Sequence, residues 1–175
     1  MKILRLFLWD ACHRRCERCC NQDWDLYNLP IINYHELHQF DQILLTGGEP
    51  MYYPIDTYYI IEKIREHAPK AKLYMYTAKI DDVPMARRML DKLDGITVTL
   101  HDDEDVSVFE EFAMFLNLDS TAPNSDIWKS LRLNVFAGVP LPRPQACRGW
   151  KIKNDIEWIE NCPLPPNEIF CQLQF

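Results

Sequence analysis

The feature that most restricts the fold of this chain is an alternation of strand-like and helix-like runs that continues to Gly138 and then stops among prolines. Residues 2–9 (KILRLFLW) form a β run. Residues 33–40 (NYHELHQF) have helical character, with Asn33 as the cap and Glu36 three residues on, as in a capping box. Residues 42–47 predict a second strand. A helix then begins near Pro54–Asp56 and runs to His67, bringing Ile60, Ile61, Ile64 and Ala68 onto one side before Pro69 stops it. Residues 72–77 (KLYMYT) predict strand three, and Asp82-Val83-Pro84 caps a helix carrying Met85, Met89 and Leu93. Strand four follows at 96–101 (ITVTLH). The next helix starts at about Asp103, with Val106, Phe109, Phe112, Ala113 and Leu116 inward and an acidic first turn that suits the helix dipole. Residues 118–129 are turn-rich, and 130–136 (SLRLNVF) predict strand five.

Strands that alternate with helices imply right-handed βαβ crossovers and a parallel sheet. A closed eight-stranded barrel usually takes about 250 residues, and this chain has 175. The expected architecture is therefore α/β, an open partial (β/α) barrel of mainly parallel strands with an irregular C-terminal tail. Residues 1–138 would form the barrel core and residues 139–175 a proline-rich extension packed on it. Within the extension, residues 150–159 predict a hairpin about Asn154-Asp155. In such a sheet, functional groups belong at the carboxyl ends of the strands.

Composition excludes several classes. The content is 47% hydrophobic and 26% charged, ordinary for a soluble globular protein. The net charge of −7 argues against a nucleic-acid groove. No apolar run approaches the ~20 residues of a membrane helix, and Met1-Lys2 leads straight into a strand rather than a signal peptide. The expectation is a cytoplasmic protein with neither nucleic acid nor membrane as partner. In a reducing compartment its seven cysteines read as metal ligands rather than as a disulfide framework.

Three of those cysteines, Cys12, Cys16 and Cys19, form a C-x₃-C-x₂-C triplet directly after the first strand. Three thiolates on a tight loop can hold three irons of a cubane cluster and leave the fourth iron open. A tetrahedral zinc site would want a fourth ligand, for which Cys20 and His13 are at hand. The second strand ends in Gly47-Gly48-Glu49-Pro50. Two glycines let the backbone approach a ligand closely, and Glu49 with nearby carbonyls can accept hydrogen bonds from an ammonium group.

A strand ending in C-x₃-C-x₂-C, followed roughly thirty residues later by a strand ending in GGEP, resembles the radical S-adenosylmethionine (SAM) superfamily. The resemblance implies that Cys12, Cys16 and Cys19 bind a [4Fe–4S] cluster and that SAM chelates the open iron. It also implies that Gly47, Gly48, Glu49 and Pro50 meet the SAM amine. An electron donor such as flavodoxin or ferredoxin would reduce the cluster, and cleavage of SAM to a 5′-deoxyadenosyl radical would abstract hydrogen from a substrate. No side chain is assigned as a catalytic acid, base or nucleophile, because the cofactor supplies the chemistry. Arg18 departs from the pattern, since relatives carry an aromatic residue before the third cysteine. Cys20 stands where relatives place an aromatic and is read as a non-ligand.

By the same analogy Thr77, His101 and Asn134, at or near the ends of strands three, four and five, would touch the SAM ribose, carboxylate or adenine. The alternative is that backbone groups satisfy them locally. Strand five lacks the family's Gly-x-Ile-x-Gly pattern. Some members of the superfamily carry an auxiliary iron–sulfur cluster in a C-terminal extension, a role the resemblance offers to Cys147, Cys162 and Cys171; packing as small apolar residues is the commoner use of such cysteines. The triplet and Leu73–Thr77 resemble glycyl-radical activating enzymes, notably the anaerobic ribonucleotide reductase activase. The Leu45–Pro50 run equally resembles 7-carboxy-7-deazaguanine synthase, which differs in having Asp-Thr where this chain has Cys20-Asn21. The substrate stays open, with a slight lean to a protein or peptide.

Overall fold

A computed structural model describes residues 1–119 and 129–174, without the side chains of residues 118 and 119. The chain divides into two compact units, Met1–Met75 with the stretch from Trp158 onward, and Tyr76–Glu157.

In the first unit β1 (Ile3–Phe7), β2 (Ile31–Ile32), β3 (Gln42–Thr46), β4 (Lys72–Thr77, shared with the second unit) and β8 (Glu168–Leu173) lie in the order β2-β8-β1-β3-β4. Every one of these pairings is parallel. Successive residues of a strand point to opposite faces, and one face is buried at Leu4, Leu6, Ile43, Leu45, Leu73 and Met75, while Ile3, Arg5, Tyr74 and Tyr76 are only half-buried. The helix α1 (Pro54–His67) buries Thr57, Ile60, Ile61 and Ile64, the side predicted from spacing. Arg5 on β1 donates from Nε (3.0 Å) and Nη2 (2.7 Å) to Oε2 of Glu168 at the start of β8.

The second unit contains α2 (Val83–Lys92), β5 (Gly95–Leu100), α3 (Asp103–Asp119), β6 (Ser130–Phe136) and β7 (Lys151–Ile156). The carboxylate of Asp82 caps α2 by accepting the N–H of Met85 at 3.1 Å. Strands β5, β6 and β7 pair in parallel. On α3, Phe109, Phe112 and Ala113 are buried, and Trp150 meets the edges of Phe109 (4.9 Å) and Phe112 (6.2 Å). The chain is thus α/β with open, parallel strands, as the alternation predicts. Among the described residues no helix is long and apolar enough to cross a membrane.

Several local expectations are corrected. The described strands number eight rather than five. The excess lies mainly in the C-terminal stretch, read as irregular, which contributes β7 and β8. Proline forbids helices there, but the extended residues between prolines still pair where a neighbouring strand offers its edge. Residues 150–159 make no hairpin; β7 pairs in parallel with β6, with a register irregularity at Asn134/Phe136. The helix over 33–40 is a 3₁₀ turn at Tyr34–Gln39, although its Asn33–Glu36 capping box forms as predicted. Most of the turn-rich stretch 118–129 lies outside the described residues.

Trp150 ties the segment before β7 to the buried face of α3. Trp150→Ala or Phe112→Ala is expected to cost about 3–5 kcal/mol of unfolding free energy, measured by chemical denaturation of the folded chain.

Candidate metal centre

Parallel pairing puts the exits of β1 and β3 side by side. Phe7 pairs with Thr46, and the N–H of Leu8 donates to the carbonyl of Thr46 at 3.0 Å. The loop that carries the cysteines therefore leaves the sheet next to the turn that carries GGEP. That turn is pressed against its neighbour. A Cβ on Gly47 (φ 81°) would lie 2.1 Å from the ring of Phe7, and one on Gly48 (φ 54°) would lie 2.4 Å from the carbonyl oxygens of both Trp9 and Ala11. The N–H of Glu49 donates to the Ala11 carbonyl at 2.9 Å. Both glycines are required twice, for space and for left-handed backbone.

Glu49 is 2% exposed, and its Oε1 accepts the N–H of Met51 at 2.9 Å, capping the 3₁₀ turn Pro50–Tyr52. The buried hydroxyl of Thr57 on α1 donates to the Pro50 carbonyl (2.6 Å) and accepts from Nε1 of Trp9 (3.1 Å). Thr57 and Trp9 thus hold Pro50 and the exit of β1 in one network. Neither carries a motif, so no sequence signal marks them.

Cys12 is exposed, Cys16 and Cys19 are half-buried, and all three are free thiols. Their loop is held by its own backbone: the N–H of Cys19 donates to the Cys16 carbonyl (3.2 Å), and Gln22 donates from Nε2 to Cys16 O (3.0 Å) and from its N–H to Cys19 O (2.9 Å). Burial pushes the thiol of Cys16 above its ordinary value, and the neighbouring Cys19 and Cys12 add to the rise. Enough protein surrounds the sulfur of Cys12, despite its exposed surface, to raise it as well. The N–H of Arg14, 3.4 Å from that sulfur, pulls the other way, and Glu49 and Cys19 raise it further. Glu49 and the cysteine loop therefore share one electrostatic neighbourhood. A cationic partner would favour the thiolate form of Cys12 and Cys16 that burial opposes.

The donor set also bears on the two metal readings. Cys20 is bonded to Cys162, which removes it as a fourth zinc ligand. Among the described residues no three His, Cys, Asp or Glu groups are gathered tightly enough to hold one ion. Cys12, Cys16 and Cys19 remain as free thiols, the number that a cluster with one open iron takes; a tetrahedral zinc would need a fourth ligand, for which His13 is still at hand.

Thr77, His101 and Asn134 belong to the second unit. Thr77 is buried at the end of β4; its hydroxyl donates to the Lys79 carbonyl (3.0 Å) and accepts the Lys79 N–H (3.0 Å). The ring of His101 stacks on Phe136 at 4.5 Å, and the residue's backbone N–H donates to Oδ2 of Asp105 (2.7 Å). His101 lines a cleft with Asp102–Glu104 and Ala137–Val139. Asn134 sits in β6 opposite Thr99. Of the late cysteines, Cys171 is buried and Cys147 donates to Pro142 O at 3.6 Å, while Cys162 is committed to Cys20 and so withdrawn from an auxiliary trio in this state.

The sequence matches no protein-family model and no curated protein.

The contact at Gly48 can be probed against a glycine with open space around it. Gly138→Ala meets no atom within 4 Å and carries only the left-handed backbone, a cost of about 1–2 kcal/mol. Gly48→Ala should cost more than this in thermal unfolding and should also lower iron retention after anaerobic reconstitution, because the cysteine loop must shift away.

Proposed function

We propose that this protein is a radical SAM enzyme, with Cys12, Cys16 and Cys19 as ligands of a [4Fe–4S] cluster and Gly47–Pro50 as the seat of the SAM amine. The observation that carries the reading is the docking of the Gly48–Glu49 turn onto the carbonyls of Trp9 and Ala11. It brings two motifs, separate in sequence, to one place at the carboxyl ends of two parallel strands. When bound, the cluster supplies one electron and an open iron for reductive cleavage of SAM to a 5′-deoxyadenosyl radical. The chain's own part is positional. The three thiolates hold the cluster, and the glycines let backbone approach the ligand without side-chain bulk. The Glu49 carboxylate offers a charge-assisted acceptor to an ammonium group. Thr57 and Trp9 keep Pro50 in place beneath it.

On this reading the protein works in the cytoplasm and takes its electron from a donor such as flavodoxin or ferredoxin. The substrate class leans to a protein or peptide, as for an activating enzyme. The edge-stacked rings of Tyr52 and Tyr53, both more than two-fifths exposed beside GGEP, support that lean, since exposed aromatic surface favours macromolecular contact.

Two measurements test the proposal. Reconstituted protein reduced with dithionite should release 5′-deoxyadenosine from SAM, and Cys12→Ala, Cys16→Ala or Cys19→Ala should each lose iron while Cys20→Ala keeps it. A fully loaded, reducible cluster that yields no 5′-deoxyadenosine would turn the reading toward simple electron transfer. Hydrogen bonds to charged groups contribute roughly 1.5–3 kcal/mol, so Glu49→Gln should weaken SAM binding on the order of tenfold to a hundredfold. Iron content should stay near wild type. Unchanged affinity in folded, loaded Glu49→Gln protein would leave Glu49 only its cap on Met51.

A further inference from the structure

Next to the cysteine loop lies a cleft of about 310 Å³, and all of its lining belongs to the first unit. One wall is Glu17–Cys19 with Gln22 and Asp23; the other is Trp158–Asn161. The disulfide joins these two walls. Cys20 lies within the first and directly follows Cys19, and Cys162 directly follows the second, with 5.4 Å between their Cα atoms.

The pairing is selective, and the joined wall lies outside helix and strand. Cys12, Cys16 and Cys19 lie within eight residues of Cys20, yet stay free while Cys20 bonds a partner 142 residues away. Between the end of β7 at Ile156 and the start of β8 at Glu168 the chain has neither helix nor strand. At the bond itself two consecutive residues other than glycine take left-handed backbone, Asn161 at φ 59° and Cys162 at φ 26°. Asparagine tolerates this conformation, but cysteine does so only where its surroundings impose it. A bond that holds strained backbone on a segment outside helix and strand has the character of labile disulfides rather than of buried structural ones. In reducing surroundings such a pair is a redox sensor rather than a permanent brace.

We propose that Cys20–Cys162 is a reversible thiol–disulfide clasp that closes the cleft beside Cys19 by pinning the Trp158–Asn161 wall to the cysteine loop. Opening needs a dithiol reductant. Its thiolate attacks one sulfur, the Cys20–Cys162 bond breaks, and a mixed disulfide forms. The reductant's second thiol then closes its own disulfide. Two electrons and two protons pass to the protein, leaving thiols at Cys20 and Cys162. Asn161 and Cys162 relax, and Trp158 leaves the cleft. The clasp itself needs no metal; its reducing surroundings and its bearing on access to Cys19 rest on the function proposed above.

Hydrogen exchange read by mass spectrometry on the full-length, metal-free chain tests the clasp, with the bond intact and then after excess dithiothreitol. Alkylation should find two further thiols after reduction, at Cys20 and Cys162. Exchange over residues 157–163 should quicken about tenfold, while β1 and β8 keep their protection and reoxidation restores the first state. Cys162→Ser and Cys20→Ser should show the open pattern without reductant. Loss of protection in β1 and β8 on reduction would make the bond a structural staple, and unchanged exchange at 157–163 would remove the moving wall; either result overturns the proposal. Iron uptake by the same two preparations distinguishes the clasp from the metal reading. Faster uptake by the reduced chain supports control of access to Cys19, and equal uptake by both refutes it. If neither form takes iron, the cluster reading fails and the clasp stands on its exchange data.

Discussion

The first unit depends on one close approach, that of the Gly47–Glu49 turn to the exit of β1. Parallel pairing of β1 with β3 makes both chains leave the sheet at the same end. There the backbone of Gly48 lies so near the Trp9 and Ala11 carbonyls that no side chain fits. The Glu49 N–H then satisfies the Ala11 carbonyl, which would otherwise be crowded and unpaired. With that contact in place, Glu49 caps the following turn, Thr57 fastens Pro50 to α1, and the cysteine loop begins from a defined point. A substituent at Gly48 would press on all of these at once.

The floor beneath the loop comes from the far end of the chain. Phe7, Leu29 and Phe170 form a small buried cluster, with Trp24, Leu26 and Leu164 packed against it. Phe170 meets Phe7 (6.2 Å) and Trp24 (5.5 Å) edge-on, an arrangement that the ring quadrupoles favour. Strand β8 can supply Phe170 because it lies between β2 and β1, fixed in register from Ile3–Glu168 to Phe7–Gln172. The Arg5–Glu168 pair marks the start of that register. A stretch rich in proline thereby becomes part of the sheet under the candidate site, and the same stretch brings Cys162 to Cys20.

The electrostatics of the site run one way. Burial is the largest cause that raises the Cys12 and Cys16 thiols, and Glu49 raises Cys12 further, so both favour the neutral form until a cation binds. The capture of Cys20 by Cys162 keeps a fourth thiol out of the set. Three free thiols are the number that the proposed cluster, with one iron left open, would take.

The sequence by itself determined the α/β class, the strands β1, β3, β4, β5 and β6, the buried side of α1 and the capping box at Asn33. Each of these follows from local periodicity and cap chemistry, which act over a few residues. The two motifs, Cys12–Cys19 and Gly47–Pro50, were legible because chemistry confined to short loops leaves short patterns. Tertiary structure alone decided that Lys151–Ile156 and Glu168–Leu173 become strands, that Thr57 and Trp9 brace Pro50, and that Cys20 seeks Cys162. An extended segment is a strand only when another strand's edge offers hydrogen bonds, and the partner of a cysteine is chosen by distance in the fold. Neither fact has a local signature. Residues 3 and 168, or 20 and 162, become neighbours only after the whole of the first unit has closed.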